Sequence, residues 1–360
     1  LDREVPWGVS EESFELLADW LRALSFAGVP AGNELRTTLR GRLLAYWESF
    51  PPRDTSGDDP PSWIFGRRRR RRELDYDLTK EEFVETLALL GPDIDEAAEA
   101  CLRAIAADAP AFLAPAADSP LSARALAQKD PELLATLMEA YYIDDEPSWH
   151  DEGVRAHQGR WTGIGAPFFQ YYFGGFWQLF QTAPLRTSVR VLNNILNSGA
   201  RVRVATLSRL NSPDAFAGPV ADLGGEPHAE TESADEEGGG RGAVLNLDGS
   251  ARLYVGDSHV WSWYRGTSVG PYSAMSALLA MERLADNWLS HDASPKRVIE
   301  VLLDGCENLA VPGMLFGLLV RHVENVDTEL DPFLAEPVVW ELEFSRRASE
   351  YSGLRATTEG

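Results

Sequence analysis

Apolar side chains return every three or four residues along most of this chain, and that spacing commits it to helices. Phe14, Leu17, Leu21 and Leu24 lie on one face of a helix, and Leu35, Leu39, Leu43 and Tyr46 repeat the pattern. Thr79 with Glu82 forms a capping box ahead of Phe83, Leu87 and Leu90. Asp95 can cap an Ala-rich helix, and Asp130-Pro131 places a cap and a proline where a helix begins, ahead of Leu134, Leu137 and Tyr141. Pro184 opens a helix carrying Leu185, Val189, Leu192 and Leu196. In the C-terminal part, Pro271, Ser294-Pro295, Pro312 and Asp331-Pro332 each start another. The period changes once. Val244, Leu245 and Leu247 precede Asp248-Gly249, and Ala251, Leu253 and Val255 follow it, which predicts a β-hairpin closed by a type I′ turn.

These patterns predict a mainly α fold with one small β-hairpin insertion. Its helices would stack either as a HEAT-like α-solenoid or as an irregular helical bundle, since no strict repeat is visible in the letters. At about 150 residues per domain, 360 residues suggest two or three domains. The expected divisions are an N-terminal helical segment at 1–66, a helical domain at 67–212, an acidic Gly-rich linker or disordered loop at 213–242, and the hairpin with C-terminal helical repeats at 243–360. The linker follows from composition, because Glu226–Gly240 has almost no large apolar residue.

Composition then removes function classes. A net charge of −23 repels nucleic acid and anionic membranes. No apolar run approaches the roughly 20 residues that span a bilayer, and no secretory signal is visible, so a cytoplasmic setting is expected. The first residue, Leu1, suggests a processed chain or a piece of a larger one. Two cysteines, Cys101 and Cys306, can build neither a disulfide framework nor a four-thiolate zinc site. None of the three lysines follows a glycine, so a standard phosphate-binding loop is missing, and no cofactor is expected.

Five local patterns remain as candidate sites. Gly266-Thr267-Ser268-Val269-Gly270 matches the nucleophile elbow, with Asp304 and His322 following in the order of a Ser, Asp, His triad. Against it, an α/β-hydrolase needs several parallel strands before the elbow, and the residues there read as helices. Gly256-Asp257-Ser258-His259 resembles the opening block of GDSL-type esterases, without their C-terminal Asp-x-x-His. His150, Asp151 and His157 sit in an acidic stretch that could hold a divalent metal. Seven residues of helix would hold the two histidines about 10 Å apart, which requires a loop for a shared ion. The run containing Arg67, Arg70 and Arg72 has aromatic neighbours, Trp63, Phe65 and Tyr76, as phosphate-gripping segments do. Finally, Phe169, Phe173, Phe176, Trp177 and Phe180 would share one helical face, either as core or as an exposed groove for a partner.

Val269–Leu278, Leu302–Val320 and Leu330–Phe344 carry a resemblance. They are similar to the helical region of very large actinobacterial ATP-binding proteins, in which a P-loop module is joined to helical sensor arrays, as in signal-transduction ATPases. The similarity covers about the last hundred residues and parts of 160–200. It implies a non-catalytic segment of a regulatory NTPase, with a role in stress or phage defence and the nucleotide site elsewhere. Residues and resemblance together predict a scaffold or sensor module that binds a protein partner or other domains of a parent chain. The alternatives are a serine hydrolase using Ser268 and a nucleic-acid binder using Arg67–Arg72.

Overall fold

The computed structural model describes residues 11–26, 34–48, 80–144, 153–157, 169–210, 242–265 and 270–356. The fold is mainly α with one two-stranded antiparallel sheet. Its contacts form two compact units. Leu1–Tyr142 and Ala156–Val191 make the first; Ile143–Arg155 and Leu192–Gly360 make the second. The change from one unit to the other thus falls inside a long helix, Leu185–Leu210.

The first unit contains α1 (Glu11–Phe26), α2 (Glu34–Glu48), α3 (residues 80–89), α4 (Glu96–Asp108), α5 (Ala114–Ala117), α6 (Pro120–Lys129), α7 (Pro131–Tyr142) and α8 (Phe176–Thr182). The first turns of α9 (Leu185–Leu210) complete it. α7 is its centre. Leu133, Leu134, Ala135, Leu137, Met138, Tyr141 and Tyr142 are all buried, so apolar surface extends well beyond one stripe, the mark of a helix packed on several sides. α4, α5, α6 and α8 pack against it. The Asp95 side chain caps α4 by accepting from the Ala98 N–H at 3.0 Å, and the Asp130 carboxylate accepts from Glu132 N–H at 2.9 Å. On α2, Leu39 and Leu43 are buried, whereas Leu35 is exposed. Arg36 takes the buried place, donating to the Leu90 carbonyl at 2.7 Å and pairing with buried Asp93. Arg40 pairs with Asp95 at 2.9 Å.

The second unit holds the rest of α9, strands β1 (Gly242–Asn246) and β2 (Ala251–Val255), and helices α10 (Ser258–Ser262), α11 (Tyr272–Leu289), α12 (Pro295–Leu302), α13 (Ala310–Arg321), α14 (Asp331–Leu334) and α15 (Pro337–Ala356). The hairpin pairs Val244 with Leu253 and Asn246 with Ala251. That register leaves Leu247–Ser250 as a four-residue loop, where a two-residue type I′ turn was expected. Leu247 turns inward and is buried, Gly249 takes a positive φ of 90°, and the Asp248 carboxylate accepts from the Ser250 hydroxyl at 2.9 Å. α13 exposes no large side chain where Gly313 and Gly317 face Trp261 and Tyr264. A Cβ at either glycine would collide with those residues, so the glycines let α10 and its following turn approach closely.

Helix lengths run from four to 26 residues among the described elements, without a recurring helix pair. Each unit is therefore an irregular bundle, and the hairpin is its one β insertion among the described residues.

Candidate functional site

The first unit gathers three of the sequence candidates, His157, Phe173 and Phe176, around an unexpected partner. Asp118 ends α5, its backbone N–H donating to the Ala114 carbonyl at 2.8 Å, just before Ser119-Pro120 opens α6. Its Oδ1 accepts from the Tyr142 hydroxyl at 2.8 Å and from His157 Nδ1. A carboxylate only accepts, so Nδ1 carries the proton of this contact. The side chains of His157 and Asp118 are 2% and 5% exposed. Aromatic rings wall the imidazole: Tyr142, Phe173 and Phe176 lie at 6.2, 6.0 and 6.4 Å, centroid to centroid, all steeply inclined. Tyr142 in turn stacks on Phe176 at 4.7 Å. Beside the cluster, the Tyr141 hydroxyl donates to the Ala156 carbonyl at 2.9 Å.

The aromatic block itself is not one helix. Residues 169–175 are not helical, and α8 begins only at Phe176. Gly174 has φ 72°, and a Cβ there would lie 2.5 Å from the Tyr142 hydroxyl; the next glycine abuts Ala117 and Ala123. The pair Gly174-Gly175 thus breaks the helical period that the aromatics suggest. Phe169 and Phe173 stand before the break and Trp177 after it, where Tyr171 meets Trp177 edge-on at 5.6 Å. Phe169, Phe173 and Trp177 are half-buried.

An aspartate holding Nδ1 is how many enzymes aim a histidine as general base. Here the ring is sealed among aromatics, and a side chain sealed to that degree fastens structure rather than reaching a dissolved substrate. Among the described residues, no three His, Cys, Asp or Glu side chains converge as a metal site would require. His150 and Asp151 lie outside the described residues.

In the second unit, Asp257 caps α10, accepting from the N–H groups of His259 and Val260 at 3.1 and 3.0 Å. Arg203 donates Nε to both carboxylate oxygens at 3.0 Å. Burial alone would raise the Asp257 pKa; the Arg203 and Val260 hydrogen bonds outweigh it and hold the carboxyl below its usual range. Burial lowers the His259 pKa, and the Arg203 charge lowers it further. The Gly-Asp-Ser-His block is therefore a helix cap with an arginine clamp. Ser268 lies outside the described residues, as do Arg67, Arg70 and Arg72. Asp304 and His322 flank opposite ends of α13, whose 12 residues span about 18 Å. The His322 Nε2 partner is Asp286, at 2.9 Å.

A set of asparagines does the work of positioning around Asp304. Asn193 Nδ2 donates to the carbonyls of Leu302 and Asp304 at 3.0 and 2.8 Å. Asn197 donates to the Gly305 carbonyl at 3.0 Å and accepts from Glu307 N–H and Asn308 Nδ2. Asn308 Oδ1 accepts from Val311 N–H at 3.1 Å, supporting the start of α13. The same strip extends β2, with Val255 N–H donating to the Glu307 carbonyl at 2.7 Å and Leu309 N–H to the Val255 carbonyl at 2.9 Å. Burial pushes the Cys306 thiol up to about 12. Sequence reasoning passed over these asparagines, Asp118 and Tyr142, because single polar residues inside helical patterns leave no periodic signal.

Several large apolar side chains remain open to solvent. Val244 and Leu253, cross-strand partners, are 59% and 54% exposed on the outer face of the hairpin. Trp340 and Phe344, one turn apart on α15, are 46% and 68% exposed. No helix among the described residues is long and apolar enough to cross a membrane. No family model matches the chain, and neither a curated protein nor a solved structure matches it, so residues and geometry alone carry the functional reading.

Proposed function

We propose that this chain is a non-catalytic helical interaction module, the scaffold or sensor part of a larger regulatory NTPase assembly. The observation that carries the reading is the outward Val244–Leu253 pair. A two-stranded hairpin is marginal by itself and normally spends its apolar residues on its own core. This one spends Ala243, Leu245 and Tyr254 inward and still presents two large aliphatic side chains to solvent. Such a surface suits protein docking, where apolar contact supplies the driving force. The sealed histidine agrees with a binding role.

The test is a photo-crosslinking side chain placed at Val244 in the cells that make the protein. Crosslinking to a P-loop NTPase, lost in Leu253→Ser, supports the module. A chain that crosslinks to nothing and sediments as a lone monomer at micromolar concentration overturns it.

A further inference from the structure

The second unit leaves an aromatic face uncovered where its last two helices meet. The Trp340 indole N–H donates to the Leu334 carbonyl at 2.9 Å, which sets Trp340 beside the end of α14. Phe344 follows on the same face of α15. Leu334, Trp340 and Phe344 are all exposed, while Val339 and Leu342 on the other side of α15 are buried. That side is also anchored, since Glu343 accepts from the Trp261 indole at 2.7 Å and pairs with Arg346 at 2.6 Å. Scattered exposed apolar residues need no explanation, but two aromatics and a leucine side by side do.

Charge indicates what would cover them. Between Arg321 and Arg346 the chain carries seven carboxylates and no lysine or arginine. Of these, Asp331 on α14 and Glu341 on α15 are exposed, and Glu336, between the two helices, is half-buried. Arg346 is engaged with Glu343 and Glu350; exposed Arg347, one turn beyond Phe344, marks the far end of the stripe. An apolar strip flanked by carboxylates is complementary to a helix that has one apolar face and basic flanks. A second copy of this chain, docked symmetrically, would set the same carboxylates against one another.

We propose that Leu334, Trp340 and Phe344, flanked by Asp331, Glu336 and Glu341, form a docking face for a basic amphipathic helix of a protein partner. This rests on the interaction-module reading and names its partner's chemistry. Tryptophan is the anchor, because aromatic residues dominate binding hot spots. The carboxylates steer the approach and make it salt-dependent.

The experiment uses the full chain and two synthetic fluorescent helical peptides, each with Leu and Trp on one face and flanked by Lys in one, Glu in the other. Anisotropy titrations should show micromolar binding of the Lys peptide, weakened by salt, and none of the Glu peptide. Trp340→Ala/Phe344→Ala should weaken binding about tenfold or more, with an unchanged circular-dichroism melt. Glu336→Lys/Glu341→Lys should weaken it severalfold and flatten the salt dependence. Equal binding of both peptides, equal binding by the double-alanine variant, or no binding of either peptide overturns the proposal. So does a dimer in sedimentation that Phe344→Ala dissociates, since the face is then filled by a second copy. If Val244 crosslinking to an NTPase persists while the peptide fails, the module reading stands and only this inference falls.

Discussion

The two units hold their polar interiors differently. In the first, two buried contacts are built on a carboxylate: Asp93 with Arg36, and Asp118 with His157 and Tyr142. In the second, three buried neutral amides, Asn193, Asn197 and Asn308, carry a polar network, while the Arg203–Asp257 pair is only partly covered. An amide that loses its partner strands a dipole. A buried ion that loses its partner strands a full charge, which is far costlier to keep out of water. The first unit therefore depends on each member of its pairs, and the second spreads the same task over several smaller contacts.

Asp93→Ala strikes hardest at that contrast. It leaves a guanidinium that cannot shed its proton inside the first unit, and removing one partner of such a pair costs about 3–5 kcal/mol. Urea unfolding should show that loss; a change below about 1 kcal/mol would mean the pair is solvated and the contrast with the second unit is false.

Asp118→Ala should cost less, about 2–3 kcal/mol, because it strands the hydrogen-bond donors of His157 and Tyr142 rather than a buried guanidinium. Asp118→Asn should recover part of the loss, since the amide oxygen still accepts from Tyr142. Equal losses in the two variants would show that packing, not the hydrogen bonds, sets the effect.

Asn197→Ala removes one donor and a twice-used acceptor at 305–308, an expected cost of about 2 kcal/mol. Hydrogen exchange should quicken at Glu307, whose N–H loses its acceptor.

Asp257 gives the second unit a pH dependence of known sign. Its folded-state pKa lies below the ordinary value, so its contribution is complete above that value and is lost as pH falls through the folded one. Arg203→Leu should shrink the acid-side loss of stability; an unchanged acid limb would remove Asp257 from its causes.

The smallest effect is chemical. Cys306 is buried with its thiol pushed up to about 12, and Cys101 is half-buried. An alkylating reagent at pH 8 should label Cys101 first and Cys306 only under denaturant. Early labelling of Cys306 would show that the 305–308 strip opens readily despite its amides.

Periodicity carried the helices well, because burial repeats where the helix repeats. α7, α11 and α13 follow their apolar spacing, and the caps at Asp95 and Asp130 stand where the sequence predicts them. Periodicity misled at two places. Leu35 is spaced for burial and is exposed, because Arg36 found a carbonyl and a carboxylate that its neighbour could not use. The aromatics of 169–180 are spaced as one face, and Gly174 at positive φ turns the chain before the helix can begin. Of the candidate sites, His157, Phe173 and Phe176 were named from sequence, but the carboxylate and phenol that hold the histidine come from positions 118 and 142. Pairings across such separations depend on where helices end in space, which no local pattern encodes.

The sequence by itself determined that this chain is mainly helical, with one hairpin, and strongly acidic. Those properties follow from spacing, turn residues and a count of charges, all local or additive. Only the tertiary structure decided that Asp118 receives His157, that Asn197 braces the strip before α13, and that Val244, Leu253, Trp340 and Phe344 remain in contact with water. Whether an apolar side chain is buried depends on what the rest of the chain brings against it, and that is a property of the assembled fold.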